Sequence, residues 1–170
     1  MIVVADTGPV HYLVLAGHVE LLHTLYGSVL LPPAVQTELT HPHAPEAVRA
    51  WAASMPSWAA VQAPRDPSRF SNLGPGEREA ISLALEVSVD YLLMDETLGR
   101  QIAVQSGIAV KGTLGVLEEA AERGLVNLRA ATDALKATNI FLSEEIIEGA
   151  LERERQRRAI ARERNKDRQP

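Results

Sequence analysis

The stretch that decides the fold is Gly74-Pro75-Gly76-Glu77-Arg78-Glu79-Ala80-Ile81-Ser82-Leu83-Ala84-Leu85-Glu86, followed closely by Tyr91-Leu92-Leu93-Met94-Asp95. The Gly-Pro-Gly loop precedes a helical segment whose first turn carries Glu77, where the helix dipole favours negative charge. The apolar run at 91–94 predicts a buried strand. The stretch therefore predicts a helix, a strand, and an acid, Asp95, at the carboxyl end of that strand.

The flanking sequence repeats this alternation of strand and helix. The β-branched run Ile2–Ala5 ends at Asp6-Thr7-Gly8-Pro9, which is typical of a strand that turns into a helix. Further strands are predicted at 29–31, near Val61 and at 108–110, and further helices between 10 and 26, after Pro32-Pro33, and over 44–53, 97–106 and 113–123. Strands separated by helices form a parallel sheet covered on both faces, so we predict a three-layer α/β/α fold.

Composition favours one globular domain with a distinct tail. The 170 residues are 46% hydrophobic and 23% charged, with a net charge of −5. Residues 151–170 hold eight Lys/Arg and only four Asp/Glu, so the rest of the chain is strongly acidic. We predict a domain over residues 1–151 and a basic tail over 152–170, either a helical extension or disordered.

The sequence predicts neither a membrane span nor a signal peptide. Its apolar runs are far shorter than the ~20 residues needed to cross a bilayer. The first residues, Met-Ile-Val-Val-Ala-Asp, lack the basic and apolar regions of a signal sequence. We expect a cytoplasmic protein with no membrane partner.

Four acids are expected at one edge of the sheet. Asp6 and Asp95 each follow a strand directly, while Glu38 and Glu77 lie on helices that begin at the same edge. Each acid also has an ordinary interpretation: Asp6 and Asp95 as helix caps, Glu77 as a first-turn acid, and Glu38 as an exposed helix residue. The shared position favours a common site.

With these residues in place, the sequence resembles the PIN domain, the ribonuclease fold of the VapC-type toxins. The resemblance covers residues 1 to about 151, and the 18-residue interval from Glu77 to Asp95 is part of it. It rests on Asp6-Thr7 after the first strand, Glu38 in the third helical segment, Gly-Glu-x-x-Ala-Ile-x-Leu-Ala at 76–84 and the strand that ends in Asp95. A bacterial and archaeal subgroup is resembled most, through Leu-x-x-Gly-Glu at 73–77, Leu-Leu-Met-Asp-Glu at 92–96, Gly-Thr-Leu-Gly at 112–115 and Ile-Phe-Leu-Ser-Glu-Glu-Ile-Ile at 140–147.

The resemblance implies a PIN-like α/β domain and an acidic catalytic quartet that binds Mg²⁺ or Mn²⁺. The quartet carries over to Asp6, Glu38, Glu77 and Asp95, with Asp6 and Asp95 as the expected direct ligands. Carboxylate oxygens in a chain without cysteine suit these hard cations. One or two bound ions would offset the repulsion between the carboxylates and activate a water.

Several further residues have a weaker claim to the site. Glu79 is the rival of Glu77 on a different face of the helix, and Glu96 adjoins Asp95 as an outer ligand. The family often has a small hydroxyl residue two positions after the first Asp, where this chain has Gly8 and only the neighbouring Thr7. Thr113 matches a threonine that faces the site, and N-capping of its helix is an equally good account.

Basic and imidazole groups are assigned less sharply. Arg100 is a candidate contact to substrate phosphate, with a surface role as the alternative. The arginines of the tail could bind RNA phosphates, but interleaved glutamates favour a solvated helix. His41 and His43 have no third His or Cys at ligand spacing, which favours a surface loop over a metal site. His11 is taken as a partly buried helix residue.

These observations lead to one functional hypothesis and one alternative. We expect a metal-dependent endoribonuclease, the toxin of a type II toxin-antitoxin pair, with RNA as substrate, a small antitoxin as partner and a homodimer as the common assembly. The resemblance carries the toxin, the antitoxin and the dimer, and the antitoxin could dock near Leu13, Val14 and Leu21. The alternative is a non-catalytic scaffold that binds RNA or protein. A Rossmann nucleotide site is disfavoured because no Gly-x-Gly-x-x-Gly loop follows the first strand.

Overall fold

A computed structural model describes residues 1–166, with only the backbone at residues 165 and 166. Five parallel strands form one sheet in the order β3-β2-β1-β4-β5. The strands are β1 (Val3–Ala5), β2 (Val29–Leu31), β3 (Ala59–Val61), β4 (Tyr91–Leu93) and β5 (Val110–Lys111).

Helices lie between the strands and after the last of them along the chain. They are α1 (Thr7–Leu15), α2 (Leu21–Tyr26), α3 (Pro33–Leu39), α4 (Glu46–Ala53), α5 (Pro75–Val87), α6 (Thr97–Gln105), α7 (Thr113–Glu122), α8 (Leu128–Lys136) and α9 (Glu144–Lys166). The predicted three-layer α/β/α fold with a central parallel sheet is confirmed. The strands are short, two or three residues each, so packing of the helices supplies much of the order.

The chain divides into two compact units, Met1–Thr113 and the residues from Leu114 onward. The first unit contains the whole sheet, and its core is a cluster of buried side chains in which α5 packs against β1 and β4. Ala80, Ile81, Leu83 and Ala84 of α5 are buried, while Glu77 in its first turn is half-exposed. The helix therefore turns its apolar face to the sheet and brings its acidic start to the sheet edge.

The second unit contains a helix that the sequence analysis did not predict. Helix α8 begins after Asn127, whose side-chain oxygen accepts a hydrogen bond from the Ala130 N–H at 3.0 Å. Leu128, Ala131 and Leu135 lie on its buried face at helical spacing. An asparagine N-cap followed by this spacing is the signal that would have predicted the helix.

The first part of the basic tail is helical and paired with acids. Helix α9 continues past residue 151 to Lys166. Arg153 Nε and Nη2 lie 2.9 and 3.0 Å from the two Glu118 oxygens, and Arg157 Nε lies 2.9 Å from Glu122 Oε1. Arg155 and Arg158 pair with Glu152 and Glu154 one turn earlier. Four tail arginines are thus already engaged by carboxylates; Arg168 and the side chain of Lys166 lie outside the described residues.

Two apolar residues suggested for antitoxin docking are not available at the surface. Leu13 is fully buried and Leu21 is 8% exposed, and only Val14 of that group is half-exposed. The Leu13 and Leu21 side chains therefore pack inside the protein, and antitoxin docking on the helices near Leu13, Val14 and Leu21 stays a prediction. Among residues 1–166, no helix is both long enough and apolar enough to cross a membrane.

The core predicts a clear contrast between two leucines. Leu92 lies on β4 with its side chain fully buried, whereas Leu98 on α6 is 43% exposed. Leu92→Ala should lower the free energy of unfolding by about 2–5 kcal/mol, because it leaves a cavity in the core. Leu98→Ala should cost much less, and denaturant unfolding of the two variants measures both. Similar losses for the two would contradict this account of the core.

Candidate active site

The site begins at the junction of β1 and β4, where the order of strands reverses. β2 and β3 lie on one side of β1, while β4 and β5 lie on the other. The Asp6 N–H donates to the Leu93 carbonyl at 2.9 Å, so Asp6 continues the ladder, and Asp95 follows two residues after Leu93. In open parallel sheets the crevice at such a reversal is where ligands bind. The strands thus bring Asp6 and Asp95 to the same crevice.

Asp6 is a buried carboxylate at the N-cap position of α1. Its side chain is in a residue only 5% exposed, and it makes no capping hydrogen bond to α1. The interpretation of Asp6 as a side-chain cap is therefore wrong. Burial raises the pKa of Asp6 to about 8, the Thr7 N–H acts in the opposite direction, and the carboxylates of Glu77, Glu38 and Asp95 raise it further. A cation close to Asp6 would stabilise its ionised form.

Asp95 is held by Thr113 on the neighbouring connection. The Asp95 Oδ1 and Oδ2 atoms accept hydrogen bonds from the Thr113 N–H at 2.7 Å and the Thr113 hydroxyl at 2.6 Å. Thr113 is fully buried, so its hydroxyl is fixed by the surrounding packing. The structure thus places Thr113 against the site as the first residue of α7, with its hydroxyl on Asp95.

Glu96, and not Asp95, caps the helix that follows β4. The Glu96 side chain accepts a hydrogen bond from the Gly99 N–H at 2.6 Å and forms the N-cap of α6. The cap interpretation of Asp95 is wrong for α6, because the neighbouring glutamate takes this place. Glu96 is still close enough to the site to raise the pKa of Glu77.

Glu38 links two connections of the fold rather than projecting into solvent. Its Oε1 accepts a hydrogen bond from the Gly76 N–H at 2.9 Å, and its Oε2 accepts one from the Thr7 hydroxyl. The Gly76 N–H belongs to the first turn of α5, so it has no hydrogen-bond acceptor within its own helix. A Cβ atom at Gly76 would lie 2.6 to 3.0 Å from the Glu38 carboxylate, so this approach requires glycine. The exposed-residue interpretation of Glu38 is therefore wrong.

Glu77 is the half-buried acid of the α5 first turn. Burial raises its pKa, its own backbone N–H and that of Gly74 act in the opposite direction, and the carboxylates of Glu38 and Glu96 raise it. These interactions place Glu77 among the other acids. The interpretation of Glu77 as a first-turn acid and its proximity to the other acids do not exclude each other. Both follow from the start of α5 at the sheet edge.

Glu79 points to α3 instead. Its Oε2 accepts a hydrogen bond from the Ala34 N–H at 2.9 Å, in the first turn of α3. Glu38 of α3 and Glu79 of α5 therefore exchange roles, since each carboxylate binds an amide at the start of the other helix. Glu79 thus binds the start of α3, whereas the Glu77 carboxylate interacts with backbone N–H groups at the start of its own helix.

Arg100 lies beside Asp95. Its Nη1 donates a hydrogen bond to the Met94 carbonyl at 2.7 Å. A Cβ atom at Gly112 would lie 2.9 Å from Asp95 Oδ1 and 3.1 Å from Arg100 Nη1. The absence of a side chain at Gly112 thus lets the carboxylate and the guanidinium share one corner of the site.

The family comparison agrees with this geometry. A family model described as a PIN domain matches residues 2–156. The chain belongs to the PIN domain family. Membership in this family supports a nuclease, a hydrolase of phosphodiester bonds, and PIN domains generally depend on divalent metal. No curated protein and no solved structure matches the chain.

The chemistry of the carboxylates in this PIN domain suits a hard cation. Their spacing limits how many of them can bind the same ion. They offer oxygen donors only, and Asp6 is a buried acid whose charge is disfavoured by three others. Among residues 1–166, no three His, Asp or Glu side chains converge closely enough to ligate one ion together. Mg²⁺ is commonly held by one or two carboxylates, with water and substrate phosphate completing its shell. The donor set fits that mode.

The histidine pair lies outside this set. His41 and His43 are both exposed, their ring centroids lie 5.2 Å apart, and the His43 N–H faces His41 Nδ1 at 3.2 Å. Both residues therefore lie in a surface loop, as predicted. His11 on α1 is half-buried, and its ring meets that of Tyr12 edge-on at a centroid distance of 4.9 Å.

The raised pKa of Asp6 predicts how stability depends on pH. Between the ordinary value of 3.8 and about 8, the folded PIN domain retains a proton on Asp6 that the unfolded chain has lost. The metal-free protein should therefore lose stability as pH rises through this window, by at most about 1.4 kcal/mol per pH unit. Asp6→Asn mimics the neutral acid, so its melting temperature should exceed that of the wild type more at pH 8 than at pH 4.

The matched control for this comparison is Asp133→Asn. Asp133 is an exposed aspartate on α8, and its substitution should leave the pH dependence as in the wild type. Melting curves of all three proteins in the presence of a chelator measure the effect. A stability difference for Asp6→Asn that is the same at both pH values would refute the assignment.

Gly76 should be intolerant of a methyl group. Gly76→Ala would displace the Glu38 carboxylate and break its bonds to the Gly76 N–H and the Thr7 hydroxyl, lowering stability by about 1–3 kcal/mol. Gly149→Ala in α9 is the control, since its Cβ would meet only Arg153 Nη1 at 3.4 Å and alanine favours a helix. A double-mutant cycle with Glu38→Ala should show strong non-additivity, whereas additive losses would speak against the contact.

Proposed function

We propose that this PIN domain is a metal-dependent endoribonuclease whose active site is formed by Asp6, Glu38, Glu77 and Asp95. The observation that carries the proposal is Asp6 at the carboxyl end of β1, next to β4, where it is buried and its pKa is raised by burial and by the other three acids. A desolvated carboxylate close to three others lowers the stability of the folded protein when no cation is bound. Such an arrangement is typical of a functional site.

Each residue has a distinct task in this proposal. Asp6 and Asp95 would hold Mg²⁺ or Mn²⁺, and Glu38 and Glu77 would complete its surroundings or orient a water. When bound, the cation lowers the pKa of the attacking water and stabilises the charge of the leaving oxygen. The Thr113 hydroxyl fixes the orientation of Asp95, and the Thr7 hydroxyl fixes that of Glu38.

Arg100 would contact the phosphate. Its Nη1 is anchored on the Met94 carbonyl beside Asp95, and its other N–H groups would donate to a phosphate oxygen. The positively charged guanidinium of Arg100 would stabilise the negative phosphate of the substrate at a site whose other charged groups are acids. Glu96 would act indirectly, through the start of α6 and its electrostatic effect on Glu77.

The resemblance to VapC-type toxins supports RNA as the substrate, and it carries the biological setting. We propose that the protein is the toxin of a toxin-antitoxin pair, acts in the cytoplasm, is held inactive by a small antitoxin and forms a homodimer. Of the residues named for antitoxin docking, Val14 is the half-exposed one, whereas Leu13 and Leu21 are buried.

The decisive experiment is cleavage of RNA by purified variants. Asp6→Asn and Asp95→Asn should each remove Mg²⁺-dependent cleavage while the far-UV circular dichroism spectrum stays that of the folded protein. Asp133→Asn is the control for loss of one exposed acidic charge and should cleave as the wild type does. Undiminished cleavage by Asp6→Asn or Asp95→Asn would overturn the proposal.

The second candidate is a non-catalytic scaffold that binds RNA or protein. It is favoured by one observation: both oxygens of Glu38 and both oxygens of Asp95 already accept hydrogen bonds from the protein. Titration with Mn²⁺ separates the two functions, because ligand binding to the folded state raises its stability. A saturable rise in melting temperature that Asp6→Asn abolishes supports the nuclease, and no rise at all supports the scaffold.

A further inference from the structure

The arginines of α9 fall into two groups, and only the first group is bound by acids. The four arginines between residues 153 and 158 pair with carboxylates of α7 or of α9 itself. Within the part of the chain that the structure describes, Arg162 and Arg164 pair with no carboxylate, and Glu163 between them forms an ion pair with neither. The glutamates of the tail therefore neutralise its first arginines but not these two.

The difference follows from the way α9 passes the end of α7. Arg153 pairs with Glu118, and one turn later Arg157 pairs with Glu122, so the two helices run side by side in the same direction. Glu122 is the last residue of α7, whereas α9 continues to residue 166, about 13 Å past Arg157 at 1.5 Å per residue. Every residue from 158 to 164 is exposed. The last described turns of α9 thus carry unpaired positive charge into solvent.

The unit that contains the proposed active site has the opposite charge. Residues 1–113 contain eleven Asp/Glu and only six Lys/Arg, and the four residues of the proposed site are all carboxylates. RNA is a polyanion, and its phosphates are held mainly by Lys and Arg. A second, positively charged contact outside the first unit would therefore favour RNA binding.

The composition of the exposed turns favours phosphate over a protein or a base as the bound group. Ile160, at 51% exposed, is the one large apolar side chain between residues 158 and 164. A protein interface needs a larger apolar centre than this. The same residues include no aromatic ring on which a base would stack. Charge is thus the property that these turns offer.

We propose that the last turns of α9, through Arg162 and Arg164, bind phosphates of the RNA backbone as a second contact outside the active site. The proposal rests on the nuclease function proposed above and adds a surface that holds its substrate. Two positions apart on a helix, the two arginines project to different sides, so they form no shaped pocket. The contact is therefore independent of RNA sequence and weakens as salt is added.

The test is RNA binding measured against salt concentration. A fluorescently labelled RNA is titrated with full-length Asp6→Asn protein at one fixed Mg²⁺ concentration, with KCl varied, and anisotropy reports binding without cleavage. Adding Arg162→Gln and Arg164→Gln should weaken binding about tenfold at low salt and make the plot of log K against log salt less steep by about 1 to 1.5. A second RNA of unrelated sequence should show the same change.

The matched control removes the same charge from arginines that are already paired. Arg155→Gln with Arg158→Gln should change the affinity and the salt dependence much less, because both side chains are bound by glutamates of α9. Equal losses in the two double variants would assign the effect to overall charge and overturn the proposal. Unchanged binding by Arg162→Gln with Arg164→Gln, or a loss confined to one RNA sequence, would overturn it as well.

Cleavage assays with active enzyme keep this proposal apart from the nuclease function. Arg162→Gln with Arg164→Gln should raise KM for RNA and leave kcat nearly unchanged, because neither arginine is among the residues placed around the acids. If the wild type cleaves RNA and the double variant has the same KM, only the contact through α9 fails. If RNA binding depends on the two arginines but the wild type cleaves no RNA with Mg²⁺ or Mn²⁺, the nuclease function fails instead.

Discussion

The pairing of β1 with β4 is the constraint on which the rest of the site depends. Val3, Val4 and Ala5 lie opposite Tyr91, Leu92 and Leu93, and the Asp6 N–H extends this ladder to the Leu93 carbonyl. Because side chains alternate along a strand, a shift of one residue in this pairing would change the face of the sheet that Asp6 shares with its neighbours and separate the acids. The apolar burial of two short strands thus determines where two carboxylates lie.

The acids are held apart and in place by hydrogen bonds to other parts of the chain. Thr113 binds Asp95, and Thr7 and Gly76 bind Glu38, so two of the four carboxylates have fixed orientations. Asp6 has the opposite character, since burial and charge repulsion both disfavour its ionised form. The site thus combines carboxylates of fixed orientation with Asp6, whose ionised form a bound cation would stabilise. Such preorganised charged groups are what phosphate chemistry requires.

Local sequence was sufficient for the sheet and for the two aspartates. A strand followed at once by an acid places that acid at the strand's carboxyl end whatever the remainder of the chain does, and the layered fold follows from the alternation of elements. The partners of Glu38 and Glu79 could not be predicted in this way, because Gly76 and Ala34 lie 38 and 45 residues away in sequence. Nor does sequence spacing tell which of the adjacent acids Asp95 and Glu96 caps α6, since this depends on the backbone direction at the end of β4.

The exchange of carboxylates between α3 and α5 has a consequence for the motions of the protein. Helix α3 has seven residues, too few to be stable alone, and one of its first amides depends on Glu79 of α5. A first-turn amide of α5 depends in turn on Glu38 of α3. Neither helix can fray at its start without depriving the other of a partner, so the two should open together as one cooperative unit in hydrogen exchange, with matched protection at Ala34 and Gly76.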